Sequence, residues 1–322
     1  MALESKPIQA IPLDTIGIDG IDTQTTATAL SPNWFTKADN IVYTEGGKVA
    51  FRKGLKQKTL TGGAKVGALV EHYTGSAYKI FGATSTNMYE VDLTDKDNAW
   101  INVFATGASG SDWQFSNFNN ELFACQLSED PLDYHSSSWA KLKDVTGYTA
   151  PPGVTTFDPS CMLGFYGRMW AGGISEENDV LYYSKLLDAH KWATADTGGY
   201  IDLKSVWGQD KIIAIHSFAG KIVIFGEKNI AIYNSPDIIG SIALDEVITG
   251  IGCVSRDSIQ SVGDDLYFLS DTGVRSLFRT TQLDKLPLTE KSITIKDELI
   301  ANITASKNVK SVFMQNEGLY II

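Results

Sequence analysis

The sequence has few of the residues that build disulfide frameworks, zinc fingers or histidine-based active sites. Its 322 residues include three cysteines and four histidines. The cysteines are far apart with no C-x-x-C pair, so Cys125, Cys161 and Cys253 are expected to be small buried hydrophobic residues. No histidine belongs to an H-x-x-x-H or H-E-x-x-H element, and His72 and His216 fall in predicted strands. We therefore expect structural histidines, and we predict no metal and no cofactor.

Positive charge and long apolar runs are also scarce. There are 27 Lys and Arg against 38 Asp and Glu, a formal net charge of -11. This balance argues against a sequence-reading nucleic-acid binder, whose footprint is a basic patch. It is compatible with a passage through which DNA slides, because an acidic wall does not hold phosphates. No apolar run approaches the roughly 20 residues that span a bilayer, and the N-terminus has no signal-peptide pattern. We expect no membrane insertion.

What is abundant is the pattern of short strands and tight turns, clearest in residues 212–234. Three apolar runs, Ile212–Phe218, Lys221–Phe225 and Ile230–Tyr233, are separated by turns rich in Gly and Asn. Runs of this length that are rich in Ile, Val, Phe and Tyr predict three successive strands. Three strands alone would leave apolar faces in water, so similar neighbours are needed.

The same unit of strand, tight turn and strand recurs along the chain. The further copies are Val66–Ala83, Trp113–Gln126, Cys161–Gly173, Asp257–Ser270 and Ser311–Ile322. In several copies a third strand is predicted, at Asn87–Leu93, Val180–Ser184 and Val274–Arg279. The turns recur roughly every 40 to 55 positions, which is the spacing of four-stranded blades in β-propellers. We predict an all-β fold, a β-propeller of about six blades; the alternative with similar turn spacing is a β-sandwich or tandem β domains.

The last predicted blade is incomplete, since the chain stops at Ile322 just after a turn at Asn316-Glu317-Gly318. Either the natural chain continues, or an early strand from residues 1–65 completes the ring. The propeller is assigned to residues 63–322. Polar segments near 128–152 and 280–306 are predicted as insertions on blade rims, where binding residues often lie. The second contains a predicted helix at Ile295–Ile303.

Residues 1–62 are predicted as a separate N-terminal segment. An extended arm up to about Leu30 precedes Ser31-Pro32, an N-cap followed by a proline, which predicts a short helix over residues 31–40. Asn40–Thr44 and Lys48–Arg52 flank Glu45-Gly46-Gly47, which predicts a β-hairpin.

Residues 30–57, LSPNWFTKADNIVYTEGGKVAFRKGLKQ, resemble the N-terminal signature of tail stabilisation, or tail nozzle, proteins of short-tailed bacteriophages. In those proteins an arm with the pattern A-D-N-x-x-Y-x-x-G-G-x-x-x-x-R-x-G precedes a β-propeller. The residues that match the pattern are Ala38, Asp39, Asn40, Tyr43, Gly46, Gly47, Arg52 and Gly54.

The resemblance implies a structural virion protein, a tail nozzle or hub subunit that connects the portal-adaptor ring to the distal tail and forms part of the DNA ejection channel. It implies a homohexamer in the virion tail, assembled in the host cytoplasm, with tail fibres or tailspikes as further partners. Genomic DNA would pass through without sequence-specific binding, and no enzyme activity is expected. The subunit-interface candidates are Trp34, Phe35, Asp39, Asn40, Tyr43, Arg52 and Lys53.

Two of these assignments leave alternatives open. Trp34 and Phe35 either pack against a neighbouring subunit or join the predicted helix to the hairpin. Arg52 and Lys53 are basic residues in an acidic chain, which suggests pairing with carboxylates of another subunit or of the adaptor ring.

A propeller glycosidase or lectin that acts on host surface polysaccharide is the alternative function. Glycosidic hydrolysis needs two carboxyl groups at a fixed separation, and Glu176-Glu177 lies in a loop between predicted strands. Adjacent side chains rarely face each other, so we expect solvated loop charge there. Ser270-Asp271-Thr272-Gly273 is one residue short of the S-x-D-x-G turn of sialidase-type propellers and is predicted as a hairpin turn. No catalytic residue is therefore predicted.

Overall fold

The computed structural model describes residues 17, 19–43, 49–52, 54, 65–94, 99–234, 236–277, 291–305 and 309–322. The chain divides into two compact units. The first comprises residues 1–57 and 291–306, and the second comprises residues 58–290 and 307–322. Residues 291–306 therefore group with the N-terminal segment, whereas the sequence prediction placed them in a rim insertion.

In the first unit, β1 (Gly20–Ile21) pairs in parallel with β2 (Trp34–Phe35). The helix predicted over residues 31–40 is wrong, because this segment forms a turn followed by β2. The Asp22 amide donates to the Phe35 carbonyl at 2.9 Å, so strand pairing satisfies an acceptor that a helix would use internally. Aromatic and β-branched residues after the turn also have low helix propensity.

The hairpin predicted beside it is confirmed. Strand β3 (Ile41–Tyr43) pairs antiparallel with β4 (Val49–Phe51), with Tyr43 opposite Val49. The turn at residues 44–48 and the linker at 55–64 lie outside the described residues. The helix predicted at Ile295–Ile303 is confirmed with bounds Lys296–Ala305, and the Thr23 amide donates to the Thr294 carbonyl just before it at 2.9 Å.

In the part of the second unit that the structure describes there are six antiparallel sheets, each built from consecutive strands and called a blade here. Blade 1 consists of β5 (Ala68–Tyr73), β6 (Tyr78–Ala83), β7 (Asn87–Val91) and β8 (Trp100–Ala105). Blade 2 consists of β9 (Gln114–Phe118), β10 (Glu121–Cys125), β11 (Leu132–His135) and β12 (Ser138–Lys141). Blade 3 consists of β13 (Cys161–Phe165), β14 (Arg168–Gly172), β15 (Val180–Tyr183) and β16 (Gly199–Asp202).

Blade 4 consists of β17 (Ile212–Phe218), β18 (Lys221–Gly226), β19 (Asn229–Asn234) and β20 (Ala243–Thr249). Among the described residues, blade 5 has three strands, β21 (Gln260–Val262), β22 (Asp265–Ser270) and β23 (Gly273–Ser276). Blade 6 has two, β24 (Val312–Met314) and β25 (Leu319–Ile321). A short helix, Lys204–Trp207, follows blade 3.

The first strand of a blade contacts the first strand of the next, in the series β5, β9, β13 and β17. Apolar side chains fill the space between successive blades, so the core is divided into layers. The approach is close: a Cβ on Gly164 of β13 would lie 2.7 Å from the Asn117 carbonyl oxygen of β9. This all-β architecture is a β-propeller, as predicted, because a sandwich would instead have two facing sheets.

The rim insertion predicted near residues 128–152 is wrong, because this segment contains β11 and β12, the third and fourth strands of blade 2. Polar residues interrupt the apolar pattern of this strand: Asp133 lies between the buried Leu132 and Tyr134, and His135 follows Tyr134. The third strands predicted in blades 1, 3 and 5 are all present.

Candidate functional site

Two of the predicted interface residues contact each other at the open end of the β3–β4 hairpin. The Arg52 amide donates to the Asn40 carbonyl at 2.7 Å, and Arg52 Nη2 donates to Asn40 Oδ1 at 3.3 Å. Asn40 has a φ of 57°, which asparagine tolerates better than most residues. Asp39 forms an exposed ion pair with Lys37 at 3.2 Å, a kind of contact that contributes little stability.

The two aromatic candidates lie in β2 and are half-buried. A Cβ on Gly17 would come within 2.2 Å of the Phe35 ring, so Phe35 packs on the backbone of its own chain there. Of Tyr43 only the backbone is described, and Lys53 lies outside the described residues.

The hairpin itself presents apolar side chains to solvent. Phe51 is 85% exposed and Val49 is 46% exposed. Among the described residues, β3 and β4 pair with no further strand. A two-stranded ribbon of this length is marginally stable in water, and exposed strand edges are templates for pairing with another chain.

In the second unit, the loops that lead into the first strands of the blades line a pocket of about 350 Å³. We call it the hub pocket. Asp112 precedes β9, Ser160 precedes β13, Lys211 precedes β17, and Arg256 precedes β21. Because first strands of successive blades contact each other, residues far apart in sequence converge here.

Arg256 is the central side chain of the hub pocket and is 8% exposed. Its guanidinium donates to two backbone carbonyl oxygens, those of Ser160 and Asp112. It also lies 3.3 Å from Asp112 Oδ2 and 3.5 Å from Asp257 Oδ2. A planar guanidinium with several donors suits this divergent set of acceptors. One side chain thus joins the entry loops of blades 2, 3 and 5.

Lys310, which precedes β24, completes the charge balance. Its Nζ is 2.9 Å from Asp112 Oδ1 and also contacts Asp257. Two cations and two carboxylates therefore neutralise each other. These contacts stabilise the packing of blades against each other, and both carboxylates, Asp112 and Asp257, are already paired with cations.

The two carboxylates considered for glycoside hydrolysis, Glu176 and Glu177, form hydrogen bonds with neighbouring residues of the same unit. Glu176 accepts hydrogen bonds from the amides of Thr155 and Thr156 at 2.7 and 3.2 Å, and Glu177 accepts one from Lys204 Nζ at 3.1 Å. Residues 270–273 join β22 to β23 as a hairpin turn, which confirms that prediction.

His72 and His216 lie in the first strands β5 and β17, as expected of structural histidines. His72 Nδ1 is 2.6 Å from Asn117 Oδ1, and His216 Nδ1 is 2.8 Å from the Ser217 carbonyl oxygen. Burial lowers the pKa of His216 below its ordinary value. The three cysteines are buried and free, as predicted, and burial raises the pKa of Cys161 and Cys253 to about 12.

Sequence reasoning missed one cluster of titratable groups, between blades 2 and 3. Asp133 Oδ2 is 2.8 Å from His135 Nδ1 and 2.8 Å from His190 Nε2. The hydrogen bond with Asp133 raises the pKa of His190, and burial raises the pKa of the nearby Glu121. The only local signal was that Asp133 and His135, two positions apart in a strand, share a face; nothing in the sequence pointed to His190.

No protein-family model matches the sequence, and no curated protein shows significant similarity to it. Among solved structures, the chain is similar to BBS1N in complex with ARL6DN, with 9% identity, a TM-score of 0.40, and coverage of 74% of this chain and 71% of that chain. It is also similar to a protein from Lactobacillus plantarum, with 13% identity, a TM-score of 0.39, and coverage of 66% and 63%. At these values the likeness carries no argument about binding or activity.

Within the part of the chain that the structure describes, no helix is both long and apolar enough to cross a membrane.

Proposed function

We propose that this chain is a structural subunit of a phage tail, a nozzle or hub protein that assembles into a ring and forms part of a DNA passage. The observation that carries the proposal is the β3–β4 hairpin. It lies within the stretch that resembles the N-terminal signature of tail nozzle proteins, and it presents Val49 and Phe51 to solvent. A short isolated ribbon with apolar residues outside needs a partner surface, and a second copy of this chain is the partner that a ring supplies.

The electrostatics support the same role. A formal net charge of -11 gives phosphates little to bind. The described cations at the hub pocket are paired with carboxylates: Arg256 and Lys310 with Asp112 and Asp257, and Lys211 with Glu227. A subunit built this way would let DNA pass without retaining it, as a conduit requires.

The proposal is tested by replacing the exposed hairpin residues. The double variant Val49→Ser and Phe51→Ser should keep the propeller folded but no longer form rings, as judged by light scattering coupled to size exclusion and by negative-stain microscopy. Ile238→Ser, at an exposed apolar residue on a blade loop (57% exposed), is the matched control and should assemble like the parent. Removal of residues 1–53 should act like the double variant.

Two results would overturn the proposal. One is a parent protein that stays monomeric, alone and with neighbouring tail components, and that binds or cleaves a surface glycan. The other is an assembled ring whose inner wall is continuously lined by Lys and Arg, since such a wall would hold DNA strongly in a salt-dependent manner.

A further inference from the structure

We infer that Asp133, His135 and His190 form a binding site for a divalent transition-metal ion of the zinc class, bridging blades 2 and 3. The inference is independent of the function proposed above. It rests on the geometry of three side chains that the fold brings together from two blades. Asp133 and His190 are 57 positions apart in the sequence.

The three candidate ligand atoms lie close together. One ligand atom from each residue lies within 4.8 Å of the others. Zinc bound at about 2.0 to 2.1 Å in tetrahedral geometry places ligand atoms about 3.3 Å apart, so the two contacts of 2.8 Å to Asp133 Oδ2 need to widen by about 0.5 Å. The His135 side chain is 33% exposed and has room to make that adjustment.

The cluster is poorly satisfied without a cation. Asp133 is fully buried, and its Oδ1 atom has no hydrogen-bond partner. His135 Nδ1 is also buried without one, because its short approach to Asp133 is not aligned as a hydrogen bond. Buried polar atoms are nearly always paired, and a buried carboxylate needs a compensating positive charge. A divalent cation bound by His135 Nδ1 and by both carboxylate oxygens of Asp133 would satisfy the two atoms at once.

His190 has a carboxylate near each of its ring nitrogens. Its Nε2 atom faces Asp133, while its other nitrogen, Nδ1, lies 3.6 Å from Asp188 Oδ1. A histidine that binds metal through one nitrogen usually presents the other to a carboxylate or carbonyl, which fixes the ring orientation.

The ligand types indicate the metal. Two imidazoles and one carboxylate suit zinc and its neighbours in the first transition row, whereas magnesium and calcium prefer oxygen ligands alone. Three protein ligands leave a fourth position for water, and the partial exposure of His135 gives the ion a route in. Because the ligands come from two blades, a bound ion would cross-link them.

The test is calorimetric titration of the full-length, chelator-treated protein with Zn²⁺ alone, with Mg²⁺ as a parallel arm. We expect one Zn²⁺ per chain, no comparable Mg²⁺ binding, and a higher thermal midpoint with Zn²⁺. His135→Gln should weaken binding at least tenfold. Asp188→Asn leaves all three ligands in place and removes only a carboxylate charge 3.6 Å from the His190 ring, so it should weaken binding less than His135→Gln does. His216→Gln, at a histidine outside the cluster, is the control and should bind like the parent.

Equal Zn²⁺ affinity in the parent and in His135→Gln would overturn the inference, as would absence of stoichiometric binding to the folded parent. Replacing Zn²⁺ by Co²⁺ gives a second readout that does not depend on any variant. Visible absorption typical of a four-coordinate nitrogen and oxygen site is expected, and a spectrum identical to that of free Co²⁺ would count against the site.

Discussion

Replacing Arg256 by alanine removes the guanidinium that joins the entry loops of blades 2, 3 and 5. The side chain donates to the carbonyl oxygens of Ser160 and Asp112, and hydrogen bonds from charged donors contribute about 1.5 to 3 kcal/mol each. The ion pairs with Asp112 and Asp257 involve partly exposed carboxylates, so each adds at most about 1 kcal/mol.

Part of the stability lost in Arg256→Ala is regained, because the variant no longer buries a charged guanidinium. Breaking one side of a buried charged network typically destabilises a protein by about 3 to 5 kcal/mol. We expect Arg256→Ala to fall in that range. For a unit of this size each kcal/mol lowers the thermal midpoint by about 2 to 4 °C, so the midpoint should fall by at least about 6 °C. Urea unfolding followed by tryptophan fluorescence, together with calorimetry, measures both quantities.

Two further variants separate the roles of the charge and of the planar group. Arg256→Lys keeps the charge but cannot reach both carbonyls at once, so an intermediate loss is expected. Lys310→Met removes a neighbouring cation that is 38% exposed, and should cost about 1 kcal/mol or less. If Arg256→Ala proves no more destabilising than Lys310→Met, Arg256 is not the residue that joins the blades.

Three other predictions follow from local features. Gly164→Ala should destabilise the fold by about 1 to 3 kcal/mol because its Cβ would meet the Asn117 carbonyl, whereas Gly240→Ala, with open space around it, should be near neutral in the same thermal unfolding assay. Burial makes His216 less basic in the folded than in the unfolded chain. Stability should therefore fall as the pH drops below about 6.5, and His216→Phe should flatten this dependence; an unchanged pH profile would contradict it. The three buried free cysteines, Cys125, Cys161 and Cys253, should resist alkylation by iodoacetamide in the native protein and react after unfolding. Mass spectrometry of the alkylated protein measures both states.

The first three strands of blade 4 were predictable to within a residue or two because their sequence has few conflicting signals, whereas its fourth strand, Ala243–Thr249, was not predicted. Ile, Val and Phe fill Ile212–Phe218 and Lys221–Gly226, and the Ala219-Gly220 turn between them adopts positive φ. Local preference and burial agree in these strands, and Gly220 readily takes the positive φ of the turn, although Ala219 does so less readily.

Where local signals conflict, the prediction failed for identifiable reasons. Ser31-Pro32 carries the signal of a helix start, yet the backbone that follows pairs with β1. In blade 2, Asp133 and His135 interrupt the apolar pattern of β11 because they belong to a polar cluster whose third member, His190, lies in the next blade. Such contacts depend on how blades are placed beside each other, which no single stretch of sequence encodes.

The hydrogen bonds of Arg256 also join residues far apart in the sequence, which has a consequence for folding during synthesis. Arg256, whose guanidinium joins the entry loops of blades 2, 3 and 5, is 144 residues downstream of Asp112 and 96 residues downstream of Ser160. At about 5 to 20 residues per second, a ribosome needs about 7 to 30 s to cover the longer interval. During that time the nascent blades 2 and 3 expose carbonyl groups that have no partner yet. Protection of these early blades should therefore rise late and in one step, after Arg256 has left the exit tunnel.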